Sequence, residues 1–110
     1  MPVKNSTIDS LREKGWTLPT SQEHTLGNLQ GKRLGGSYRL MPVIGPKSHF
    51  GATYFHVFLQ NTRGETNQQP IITGLHNQGS YPSYNWIEVI NYSSRASFGA
   101  GEELLDVSLN

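Results

Sequence analysis

Ala52-Thr53-Tyr54-Phe55-His56-Val57-Phe58-Leu59 is the stretch on which the fold turns. Aromatic and β-branched residues fall on both parities, so a strand built from it presents bulk to either face. Such a strand belongs inside a sheet that is covered on both sides. Immediately after it, Asn61-Thr62-Arg63-Gly64 carries turn chemistry, and Pro70-Ile71-Ile72-Thr73-Gly74-Leu75-His76 reads as the returning strand. On the other side, Ser37-Tyr38-Arg39-Leu40-Met41-Pro42-Val43-Ile44 is an apolar run ended by the Gly45-Pro46-Lys47-Ser48 turn. Pro42 lacks a ladder donor, which predicts a place at the sheet edge.

Further out, residues 77–85 contain Gly79, Pro82, Tyr81 and Tyr84, an aromatic loop. Trp86-Ile87-Glu88-Val89-Ile90-Asn91-Tyr92 follows as the last strand. Strict alternation puts Trp86, Glu88, Ile90 and Tyr92 on one face and Ile87, Val89 and Asn91 on the other. At the start of the chain, Ser6 to Gly15 has a hydroxyl cap, Ile8 and Leu11 at helical spacing, basic residues in the last turn and Gly15 where a left-handed cap belongs. Thr20 to Lys32 is polar with Leu26 and Leu29, and reads as a loop, an edge strand or both. Glu102-Glu103-Leu104-Leu105-Asp106-Val107-Ser108-Leu109 predicts a C-terminal helix whose leucine stripe needs a partner surface.

The fold class is therefore α+β, an N-terminal helix, an antiparallel sheet of about four strands and a C-terminal helix. With 110 residues the chain makes one domain, residues 1–110, and the helical pattern running to Asn110 predicts the N-terminal part of a longer one.

Composition narrows the function. The chain has no cysteine, so thiolate metal sites, iron–sulfur clusters, disulfides and thiol nucleophiles are excluded. Residues 1–50 hold seven Lys/Arg against three Asp/Glu, and residues 51–110 hold two against five. Only Lys32, Arg33 and Arg39 cluster, too few for the multiple phosphate contacts of nucleic-acid binding, so a solvated basic face is expected and no nucleic acid. There is no apolar leader after Met1-Pro2-Val3-Lys4-Asn5 and no bilayer-length apolar run, which predicts a cytoplasmic protein that engages no membrane. The spacings of His24, His49, His56 and His76 match no metal cluster, so sheet histidines and no metal are expected. Serine-hydrolase elbows and phosphate-binding Walker loops are missing as well.

Glu88 is the one acid within a confident strand, and it shares a predicted face with Trp86. A carboxylate set against aromatics has its charged form disfavoured, which raises its proton affinity toward what a general base for amine deprotonation needs. The plainer reading is a half-exposed strand residue paired with a neighbouring Lys or Arg. Tyr81, Tyr84 and Trp86 read equally as a wall for a small ligand, a partner contact or a packed lid.

The order of aromatic loop, Trp86-Ile87-Glu88-Val89-Ile90, Phe98 and Glu102-Glu103-Leu104-Leu105 resembles a largely archaeal family known only as a domain of unknown function. Its members are longer, and their fold is similar to the acyl-coenzyme A N-acyltransferases (GNAT-like). The resemblance implies an acyltransferase-like fold and transfer of an acyl group from acyl-coenzyme A to an amine substrate. In such enzymes a central strand leads into a Gly-rich turn opening a helix, whose free N–H groups hold the coenzyme A pyrophosphate. Arg95-Ala96-Ser97-Phe98-Gly99-Ala100-Gly101 looks like that turn, with Arg95, Gly99 and Gly101 as the implied phosphate contacts. It has one more residue between Arg95 and Gly99 than the family pattern, and Glu102 and Glu103 stand in the first helical turn. The competing class is a non-catalytic binding or assembly domain that uses the aromatic loop 79–86. A third expectation is an inactive fragment whose other half is missing, leaving exposed strand edges and an unpaired helix stripe that invite a homo-oligomer or aggregation.

Overall fold

Strand β3 (Ala52–Gln60) runs through the middle of the sheet with side chains buried on both faces, as its sequence predicts. The computed structural model describes residues 6–21, 25–34, 37–46, 52–77, 86–93 and 96. The loop at 78–85 and the helix expected at 102–109 lie outside them. Five strands, β1 (Arg33–Leu34), β2 (Tyr38–Ile44), β3, β4 (Ile72–Asn77) and β5 (Trp86–Tyr92), pair antiparallel in chain order. The fold is α+β. The strand beyond the expected four is β1, only two residues long.

Two layers of cover give two cores. On one face, Phe55, Val57 and Leu59 pack with Leu40, Ile44, Ile71, Ile72 and Ala96, and with Leu26 and Leu29 from a 3-10 helix at Thr25–Leu29. Residues three apart eclipse one another in a 3-10 turn, so Leu26 and Leu29 reach the same core. This corrects the loop or edge strand expected there. On the opposite face, helix α1 (Ser6–Glu13) sets Ile8 against Val43 and Phe58, with Leu11, Trp16, Leu18 and Met41 around them. Its C-terminus closes as expected. Trp16 N–H donates to the Leu11 carbonyl and Gly15 N–H to the Arg12 carbonyl, both at 3.0 Å, and Gly15 takes φ +95°. That is a Schellman ending, and its left-handed residue is a glycine because no Cβ has to be accommodated.

Strand β2 is second in the sheet, not at its edge. Leu40 N–H donates to the Lys32 carbonyl and Ile44 N–H to the Thr17 carbonyl, each at 2.9 Å, both on the side away from β3. Pro42 has the same parity, so its missing donor falls in the gap between those two attachments. The proline is tolerated because nothing there asks for a hydrogen bond.

The β3–β4 connection is built on two asparagines. Asn61 Oδ1 accepts from the N–H groups of Arg63 and Glu65 at 3.0 and 2.9 Å, and Gly64 turns the chain at φ +85°. Asn67, 1% exposed, stands in for a strand residue: its Oδ1 accepts from Leu59 N–H at 2.9 Å, its own N–H donates to the Leu59 carbonyl, and its Nδ2 donates to the Gln69 carbonyl.

Strand β5 departs from strict alternation. Gly74 pairs with Val89 but Thr73 with Asn91, so Ile90 is the extra residue of a bulge. The bulge moves Tyr92 to the face of Ile87 and Val89 and Asn91 to the face of Glu88, reversing the alternation expected for both. Gly74 is obligatory here: a Cβ would lie 2.4 Å from Phe55 Cζ and 2.5 Å from the Glu88 carbonyl oxygen.

Candidate functional site

Of the residues singled out for acyl transfer and ligand contact, only Glu88 and Trp86 lie among the described residues. Glu88 is exposed on β5 opposite Leu75, so the apolar enclosure expected for it is missing. Among the described residues strand β5 is also the last strand of the sheet rather than a central one. Trp86 opens β5 opposite Asn77. Tyr81, Tyr84, Arg95, Gly99 and Gly101 lie outside the described residues. Glu88 lines neither of the two clefts formed by described residues.

His56 stands half-buried on the α1 side. Its ring stacks on Trp16 with centroids 4.6 Å apart and planes at 11°, and meets the Phe58 ring edge-on at 6.1 Å. Its Nδ1 lies 3.0 Å from Thr73 Oγ1. Burial lowers its proton affinity below the ordinary histidine value of 6.5. Aromatic neighbours and one hydroxyl make this a packing residue. His76 is buried on β4, and its carbonyl accepts from Thr53 Oγ1. No cluster of three metal-ligating side chains occurs among the described residues.

The described groups that do converge stand at the opposite edge of the sheet. Register places Arg33 directly across from Arg39, and Arg39 across from Gln60, a row over three strands on one face. Side chains so opposed rise from Cα atoms about 4.5–5.5 Å apart. With Ser37, Tyr38, Asn61, Thr62 and Gly64 this row lines a cleft of about 230 Å³. An adjoining hollow of about 370 Å³ is bounded by Ser37, Tyr38, Asn61, Thr62 and Arg63.

Like charges directly opposed across strands are destabilising, by roughly 0.2–1 kcal/mol. Neither guanidinium is offset by a carboxylate among the described residues, and no acid lines the cleft. The nearby Arg63 is different, because it pairs with Glu65 at 2.9 Å. The amides are also committed: Gln60 Nε2 donates to the Gly64 carbonyl and Asn61 Nδ2 to Glu65 Oε1, each at 3.1 Å. These bonds hold the 60–65 wall in place. They leave Arg33, Arg39 and the hydroxyls of Ser37 and Thr62 to face whatever enters the cleft. The chemistry of that set is binding of an anion, since guanidinium planes match phosphate and carboxylate oxygens two at a time.

The sequence did hold a signal for this pair. Arg33 and Arg39 are equidistant from Gly36 in the sequence, the spacing that a tight reversal between two paired strands needs to set them face to face. Read as linear charge, they look like an ordinary solvated face.

Among the described residues no helix is long and apolar enough to cross a membrane. No family model matches the chain, and neither a curated protein nor a solved structure matches it at a significant level.

Proposed function

We propose that this domain binds a small phosphate-bearing ligand in the cleft walled by Arg33 and Arg39. The observation that carries the reading is the cross-strand arginine pair: two guanidiniums, neutralised by no carboxylate among the described residues and held opposite each other at an electrostatic cost that a bound dianion would reverse. The cleft suits a small ligand better than a nucleic-acid backbone, because a strand of phosphates needs more cationic contacts than two.

Coenzyme A, which the family resemblance implies, is one such phosphate ester. Acyl transfer from it to an amine stands as a second reading that rests on the resemblance. Glu88, its suggested base, lies three to four strands from the arginines, roughly 14–19 Å at the usual strand spacing. A phosphate held by Arg33 and Arg39 is therefore at arm's length from Glu88.

Isothermal titration with inorganic phosphate and, separately, with coenzyme A tests the reading. Phosphate should bind in the millimolar range or tighter and more weakly as salt rises, and Arg39→Gln should weaken it at least about 10-fold, the loss of one charge-assisted bond pair. Binding of both ligands that survives Arg33→Gln and Arg39→Gln unchanged refutes the cleft as the site.

A further inference from the structure

The far edge of the sheet is built differently. The helices cover β2 and β3, but Ile87, Val89, Ile90 and Tyr92 of β5 remain 37, 42, 56 and 44% exposed. Four large apolar side chains on one edge strand with a single charge, Glu88, is the pattern that proteins otherwise blunt with lysine, proline or a covering element.

The backbone points the same way. The Glu88 carbonyl is turned toward β4, since its oxygen would lie 2.5 Å from a Cβ on Gly74. Alternation then turns the N–H and C=O groups of Ile87 and Val89 outward, away from β4. No strand pairs with β5 on that side among the described residues. Two outward residues spaced i and i+2 are self-complementary under a twofold axis. Ile87 of one copy faces Val89 of the other, each pair exchanging two hydrogen bonds, and the axis passes beside Glu88.

We propose that β5 pairs antiparallel with β5 of a second copy of this chain about a twofold at Glu88, joining two sheets into one of ten strands. At about 150 Å² for a large apolar residue, the four exposed side chains offer roughly 270 Å² per copy. That is well below what tight dimers bury, so the association is weak and ladder-driven. Glu88 sets its strength. At the axis the two carboxylates oppose each other as a non-hydrogen-bonded pair, where like charges weaken the contact. This inference is independent of the arginine cleft, which lies at the other edge.

Sedimentation velocity between about 10 μM and 1 mM, the range of a weak dimer, tests it on the full chain. The wild type should shift from one to two chain masses. Glu88→Gln should dimerise at about 5-fold lower concentration, the upper end for relief of one like-charge pair. Val89→Pro removes an outward N–H at an edge position where proline is tolerated. It should stay monomeric with its melting temperature retained. Ile87→Lys gives a second route to the same monomer. A wild type that remains monomeric at 1 mM overturns the proposal, as do Val89→Pro and Ile87→Lys proteins that dimerise like the wild type. A Glu88→Gln protein no more associated than the wild type overturns the twofold at Glu88.

Discussion

Replacing Asn67 by alanine isolates how a single polar side chain holds the β3–β4 connection. Its Oδ1 is the acceptor for the Leu59 N–H, and Leu59 is fully buried, so no water replaces the lost partner. An unsatisfied buried N–H costs about 1–3 kcal/mol, and the lost bond from Nδ2 to the Gln69 carbonyl adds about 0.5–1.5. Asn67→Ala should therefore destabilise by about 1.5–4.5 kcal/mol. At about 4–8 °C per kcal/mol for a domain near this size, the melting temperature should fall by at least about 6 °C. Urea unfolding followed by circular dichroism gives the free energy. Amide hydrogen exchange at Leu59 gives the location, because that proton should lose protection beyond the global change. A variant within about 0.5 kcal/mol of the wild type, the ordinary scatter of surface substitutions, would refute the account of Asn67 as a surrogate strand residue.

Two other perturbations follow from the packing. Gly74→Ala forces a methyl group against Phe55 and the Glu88 carbonyl, and should cost about 1–3 kcal/mol in urea unfolding; a neutral result would show that β4 and β5 shift apart freely. His56 favours its neutral form in the folded chain, so between the depressed folded value and 6.5 the unfolded chain binds more protons. Its contribution is complete above pH 6.5 and is lost as the pH falls through the folded value. His56→Phe, which keeps the stack on Trp16, should flatten that part of a melting-temperature profile, and an unchanged profile would exclude His56 as its source.

Much of the sheet was legible in the sequence because burial on two faces leaves a one-dimensional trace. Residues 52–59 are bulky at both parities only because a helix lies above and a 3-10 turn below. The N-terminal helix, its Gly15 ending and the Asn61–Gly64 reversal were equally readable, since each depends on local backbone chemistry. What escaped depends on pairing. Strand β1 has too few residues for any periodicity, the Ile90 bulge appears only against β4, and Pro42 marks an edge only if the neighbours of β2 are unknown. The candidate site escaped for the same reason: Arg33 and Arg39 become a pair only through the register that sets them opposite one another. For Glu88, composition suggested shelter, whereas position at the end of the sheet gives solvent.

Pro42 has a mechanical consequence. By silencing one donor midway along β2, it divides the outer margin of that strand into two short seams, one stitched by Thr17 and one by Lys32 and β1. No rung connects them, so fraying of the first seam need not propagate into the second. Opening of the Thr17 seam therefore need not unzip the arginine hairpin, so the two seams breathe on separate clocks.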